Sequence, residues 1–358
     1  LKGEDPYKRD FSAAVGLQTT VAMAGLTPKC YDDAVYSGSM PYAYHLDATL
    51  FATLLKNVAL RRGVTHRTDR LLAVHNTDDG EIDNLIMDSG ISLKGDFYID
   101  CSGTDALLIG KHFKSKFTER KNILFCDRTI SCQLPFSSAA EKINPFSTST
   151  AMSSGWLEDI PLTTGRCISY VYCSGYISDE MAERELREHI GPIAKNIATK
   201  KTRFKVGYRQ QPWVKNCVAI GLSAGCVDPL ESTRLQFVEQ AIWAMACMLP
   251  RYFQGQQPQP QFNKLMTQHY EMVVDFVKYH YVLSKREDTA FWTDNKKEET
   301  SSAWLRNKTK LWSRSYPEIY DLEAVHCIFD HANYQYVYFG MQGSPVITFM
   351  TGGKNALA

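Results

Sequence analysis

No G-x-G-x-x-G follows an early strand in this chain of 358 residues. That turn cradles a pyrophosphate on the first N–H groups of a helix, so a self-contained dinucleotide domain at the N-terminus is excluded. No apolar run approaches the ~20 residues that a membrane span needs, and a leader peptide is not expected from the opening residues. The ten cysteines contain no C-x-x-C pair, so neither zinc nor any other metal is expected. Reduced, mostly buried thiols in a cytoplasmic protein account for them better than disulfides do. Neither charge sign is in excess: 40 Lys and Arg stand against 39 Asp and Glu, a net charge of +1. With no basic stripe, nucleic acid is not an expected partner. No internal repeat is visible.

What is present is ordinary globular composition, 44% hydrophobic and 22% charged, enough for one large or two medium domains. The chain is organised around Asn216 to Phe237, NCVAIGLSAGCVDPLESTRLQF. Cys217 to Ile220 reads as a buried strand. It breaks at Gly221, passes through Ser223, Ala224 and Gly225, turns at Asp228-Pro229 and enters an apolar helical run. Glycine lets backbone come close to a ligand, and a helix start attracts anions. An ordinary strand-to-helix turn has the same shape, so shape alone leaves both readings open.

Taken in order, residues 11 to 40 read as irregular with short helices. Ala48 to Arg62 carries apolar residues at helical spacing, with Asp47 as N-cap and Gly63 as the stop. Arg70 to Val74 and Ile82 to Met87 read as a hairpin about Asp78-Asp79-Gly80. Phe97 to Asp100 is a short strand that ends in a carboxylate followed by Cys101-Ser102-Gly103, and a carboxylate and small residues at a strand's end mark a cofactor crevice. Lys111 to Tyr208 alternates in strand fashion, interrupted by a charged surface helix from Ser178, its N-cap, to Ile190. Leu235 to Leu249 is almost wholly apolar and is expected to be a buried helix. Gln254 to Gln261 reads as a spacer, Phe262 to Tyr281 as a further helix, and Trp304 to Gly340 clusters aromatics.

The run GLSAGCVDPLEST closely resembles a stretch of the flavin-dependent tryptophan halogenases. YAYHLDA (Tyr42 to Ala48), FYIDCSGTDALLIG (Phe97 to Gly110) and AMSSGWLEDIP (Ala151 to Pro161) resemble the same family in the same order. Several matches in order are more specific than one motif. The resemblance implies a mixed α/β fold, a monooxygenase- or halogenase-like FAD/NAD(P)-binding fold with a β-rich substrate region and a helical C-terminal region. Four segments follow: 1–110, the rest of the FAD-binding domain; 111–205, β-rich; 206–250, returning to the flavin; and 251–358, mainly helical. The missing glycine turn and the start at Leu1 lead to the expectation that the sequence is a fragment whose absent part held the family's catalytic lysine. Neither Lys2 nor Lys8 lies in a matching context.

The resemblance also implies the chemistry. Reduced FAD reacts with O₂ and then chloride or bromide to give a hypohalous acid, which travels to a separate aromatic substrate. Glu231 and Ser232 match the family's catalytic positions. Cys101, Ser102, Gly103, Gly225, Asp228, Pro229 and Ser232 fall at flavin-binding positions, and Thr233, with Arg234 after it, at the halide position. Trp156, Glu158, Ile160, Pro161 and Phe329 fall along the substrate wall. Three departures stand out: Glu158 replaces the family's second tryptophan, Arg234 replaces a small residue, and the Phe-Trp pair of tryptophan-specific members is absent. Glu323 lies one place off the family's substrate-binding carboxylate, and Ala324 occupies the matching place. Free tryptophan is therefore a less expected substrate than another indole, a phenol or a pyrrole. A hydroxylating flavin monooxygenase and a non-catalytic flavin-binding relative stay open at this point. With no nicotinamide fingerprint, a separate flavin reductase is the expected partner, and a homodimer is possible.

Overall fold

The computed structural model describes residues 11–136, 138, 142–322 and 328–342. Two short helices, α1 (Phe11–Val15) and α2 (Gln18–Met23), precede turns that run to the longer helix α3 (Ala48–Arg61). Asp47 caps α3, its carboxylate accepting from the N–H groups of Thr49 (2.9 Å) and Leu50 (3.0 Å). Gly63 follows at φ 86°, the left-handed stop. Strands β1 (Leu71–Asn76), β2 (Ile82–Met87) and β3 (Ser92–Lys94) form one antiparallel sheet, with the β1–β2 turn closing at Gly80. Strand β4 (Tyr98–Asp100) ends at the Cys101-Ser102-Gly103 turn.

After β5 (Phe117–Glu119), the strands β6 (Arg128–Leu134), β7 (Thr148–Met152), β8 (Gly155–Leu162) and β9 (Gly165–Tyr172) join β10 (Thr199–Arg203) in an antiparallel sheet of order β10-β6-β9-β8-β7. Helix α4 (Asp179–Ile190) covers one face, where Leu157, Ile168 and Tyr170 pack against Ala182 and Leu186. Trp156 and Val171 point into the main core on the other face. The period of two along β8 thus sends Trp156 and Glu158 to the same side.

The central stretch threads two small sheets. Strands β11 (Gly207–Arg209), β12 (Trp213–Val214), β13 (Cys217–Ala219) and β14 (Gly225–Cys226) follow one another. β13 runs parallel to β4, with Ala219 beside Asp100, so both strands end at the same edge. β14 lies against β11 so closely that a Cβ on Gly225 would come within 2.8 Å of Gly207 O and of Tyr208 Cα and Cβ. Gly225 is therefore required by strand packing. Gly225→Ala is expected to lower stability by about 1–3 kcal/mol through overpacking, read as a lower melting temperature.

The rest is helical: α5 (Arg234–Phe253), α6 (Gln259–Leu283), α7 (Ala290–Asp294), α8 (Ala303–Trp312) and α9 (His331–Gln342). Helix α6 is the core element, burying Phe262, Tyr270, Val274, Phe276, Lys278 and Tyr281. It starts inside the expected Gln/Pro spacer, because prolines are tolerated in a first turn, where no N–H partner is lost. The expectation for α5 needs correction. It is a helix, but it buries only Phe237, Ala241 and Met248, while Leu235 is 60% and Trp243 65% exposed. One face meets α6 and the core, while the other, with Leu235, Ile242 and Trp243, is exposed; likewise no residue of α3 is fully buried. Apolar content sets helix formation here and does not say which face is covered. No described helix is long and apolar enough to cross a membrane.

Candidate active site

Asp100 joins the two turns that the sequence assigns to the cofactor. Its buried carboxylate accepts from Ser102 N (3.0 Å) and Oγ (2.5 Å), Leu108 N (2.9 Å) and Ile109 N (2.8 Å). Its carbonyl accepts from Ile220 N (3.1 Å) and the Ser223 hydroxyl. The Cys101–Gly103 turn and the Gly221–Gly225 turn are thereby fixed against one residue. Gly103 at φ 70° and Gly221 at φ 72° take left-handed backbone, and nothing lies within 4 Å of where a Gly103 Cβ would stand. Bare, open backbone at the ends of two parallel strands fits the edge of a flat cofactor. Ser102 contributes less to such a ligand than its position suggests, since its N–H and hydroxyl are directed to Asp100.

Asp228, fully buried, holds the next turn. It accepts from Trp156 Nε1 (3.0 Å), Tyr281 Oη (2.7 Å) and the N–H of Leu230 (3.2 Å). Burial pushes its carboxyl above the ordinary carboxylate value, and the hydrogen bonds pull it only partly back. Trp156 is buried with its indole N–H committed to Asp228, so it acts on the site through the turn it holds. Two residues along β8, Glu158 accepts from Ser232 Oγ (3.2 Å), and burial raises its pKa as well. Ile160 is half-buried, and Pro161 is buried with its carbonyl 2.9 Å from His45 Nδ1; both lie further along β8 from this turn.

The turn Pro229–Glu231 ends at Ser232, a non-glycine residue at φ 51°, and α5 begins two residues later. Glu231 Oε1 lies 2.7 Å from His280 Nε2 on α6. Phe276, one turn earlier on α6, meets the His280 ring edge-to-face at 5.0 Å and stacks on Phe329 at 3.9 Å. Phe329 is buried, so one of its faces already belongs to Phe276. Thr233 is the N-cap of α5, yet its buried Oγ1 makes no hydrogen bond. An unused donor beside the first N–H groups of a 20-residue helix suits a small anion. Arg234 lays its guanidinium 5.9 Å from the centre of the Phe204 ring, a cation–π contact.

Most of the sequence-assigned residues therefore gather in two groups, one about Asp100 and one about Asp228 and Glu231, while Ile160 and Pro161 stand apart along β8. Asp100, the carboxylate read at a strand's end, is where the first group is tied together. Two residues that organise them, Tyr281 and His280, were not singled out. His280 and Tyr281 sit in an apolar helix far along the chain and carry none.

The sequence profile described as tryptophan halogenase matches residues 4–349. The chain belongs to the tryptophan halogenase family. This halogenase-family chain is 34% identical over 278 residues to tryptophan 6-halogenase SttH of Streptomyces toxytricini, covering 78% of this chain and 53% of SttH. It spans about half the length of the curated relatives it matches. Its fold superposes on a tryptophan halogenase from Shewanella frigidimarina NCIMB 400 with TM-score 0.90 and 32% identity, over 95% of this chain and 66% of that one. BrvH, a flavin-dependent halogenase from Brevundimonas sp. BAL3, superposes with TM-score 0.82 and 31% identity, over 93% of this chain and 67% of BrvH. The mixed α/β halogenase fold expected from the sequence is thus the fold observed. Among the described residues no cluster of His, Cys, Asp or Glu is arranged to hold a metal ion.

Proposed function

We propose that this chain carries the reacting site of a flavin-dependent halogenase that replaces a ring hydrogen of an electron-rich aromatic with chlorine or bromine. The observation that carries the reading is the Pro229–Thr233 turn. It presents the Glu231 carboxylate, 31% exposed, beside an unpartnered buried hydroxyl at a helix start. Reduced FAD, when bound, supplies the electrons by which O₂ and halide become an electrophilic halogen. The chain's residues do the rest. Cys101, Ser102, Gly103, Pro229 and Ser232 form the backbone surface on the cofactor side, with Asp228 buried beneath it, and Gly225 lets the strand below close. Thr233 and the N–H groups behind it attract the halide, with the Arg234 guanidinium adding positive charge nearby. Glu231 accepts the proton that the ring gives up. Trp156 and Asp228 keep the turn rigid.

The substrate is an indole, phenol or pyrrole in preference to free tryptophan. Glu158 puts a half-buried acid on the wall, where it would oppose an amino-acid carboxylate. Phe329 already gives one face to Phe276 and is mostly buried, which leaves little of its ring for a substrate. Glu323 and Ala324 lie outside the described residues. A separate flavin reductase delivers the reduced cofactor. The test is turnover of the complete protein on a panel of indole, phenol, pyrrole and tryptophan, with and without an added reductase. Halogenated product from the first three only with reductase is expected. Exclusive use of tryptophan would overturn the substrate reading, and NADH oxidation without reductase would overturn the partner reading.

A further inference from the structure

We infer that His280 is the positioning residue of Glu231: it shares one proton with Oε1 and so leaves Oε2 as the oxygen that receives the substrate's proton. This rests on the reading of Glu231 as the base. His280 Nδ1 lies 2.9 Å from the carbonyl oxygen of Phe276, one turn back on its own helix. A carbonyl only accepts, so Nδ1 carries a hydrogen. Nε2 then faces Glu231 Oε1 at 2.7 Å. Two lone pairs at that distance repel, and the separation suits a charge-assisted hydrogen bond, so one proton lies between them whichever atom holds it. The imidazole is 14% exposed and is braced edge-to-face by Phe276, which Phe329 backs in turn. Among the described contacts, the groups facing His280 are the Glu231 carboxylate across the site and the ring and carbonyl of Phe276 on its own helix.

The proton balance is simple. Once the electrophilic halogen has bonded to the ring carbon, the C–H bond at that carbon breaks and its electron pair restores the aromatic ring. The proton goes to Glu231 Oε2, while the shared proton stays with His280. One proton then leaves the pair for water, past the exposed part of Glu231, and the resting state returns. His280 touches no reacting atom; it fixes which oxygen is free and how the carboxylate is turned.

The test compares His280→Phe, which keeps a ring and loses both nitrogens, with His280→Gln, whose amide N–H can still reach Glu231. In the complete protein with reduced FAD, bromide and an indole, His280→Phe should lower kcat about 10- to 100-fold, the size of a small misplacement of a reacting group. KM should change little, and His280→Gln should recover most of the rate. Independently of turnover, the wild type should show a strongly downfield proton resonance from the His280 ring, lost in both His280→Phe and Glu231→Gln. Wild-type kcat in a folded His280→Phe, or no such resonance in the wild type, overturns the inference while the reading of Glu231 stands. Wild-type turnover in Glu231→Gln overturns that reading itself.

Discussion

Glu231→Gln should lower halogenation by the roughly 10²–10⁴ that loss of a general base costs, with flavin affinity nearly unchanged. The substitution keeps the shape and the hydrogen-bonding reach of the side chain and removes its basicity. Glu231 stands at the end of the Pro229–Glu231 turn with its carboxylate 2.7 Å from His280 Nε2, turned toward α6. Its loss should therefore spare cofactor binding. A carboxylate that only complemented the dipole of the helix starting at Arg234 would behave otherwise. Its removal would cost at most ~1 kcal/mol of stability and leave the rate alone. Product formation and a thermal melt of each variant separate the two outcomes.

Asp228→Leu should cost about 3–5 kcal/mol of stability, the scale of breaking a buried polar network. The leucine leaves Trp156 Nε1, Tyr281 Oη and the Leu230 N–H without their acceptor in a region closed to water. Asp228→Asn keeps an oxygen for some of them and should cost about 1 kcal/mol, one hydrogen bond's worth. The two variants also differ in pH dependence. Burial raises the native pKa of Asp228 above its unfolded value. Such a group supports folding fully below its unfolded pKa, and that support is lost as pH rises through the native value. Asparagine does not ionise, so Asp228→Asn should gain on the wild type as pH rises through that range. Denaturant midpoints across acidic to neutral pH measure this; a parallel pair of curves would contradict it.

Local structure was readable wherever one residue dictates the backbone. Asp47 and Gly63 bound a helix because a short carboxylate caps N–H groups and a glycine takes φ 86°. The hairpin at Gly80 and the Ser178 cap follow the same logic. The family motifs likewise pointed to the Cys101–Gly103 and Pro229–Thr233 turns. What could not be read were pairings over distance. Asp228 bonds Trp156 from β8 and Tyr281 from α6, and no spacing in the chain announces either partner. Glu231 meets His280 for the same reason. Burial was misjudged for α5 because hydrophobic content carries no information about which face meets a neighbour. Gly225 looked like a cofactor contact, yet the crowding at Gly207 and Tyr208 is enough to require it.

The central claim is that the Glu231 turn serves halogen transfer. The most direct test is mass spectrometry of the product formed by the complete protein from an indole with reduced FAD, O₂ and either chloride or bromide. The account predicts that one ring hydrogen is replaced by the halogen supplied, shown by its isotope pattern, and that Glu231→Gln makes the same product far more slowly. A product carrying oxygen in place of halogen in both salts, formed equally fast by Glu231→Gln, would contradict it.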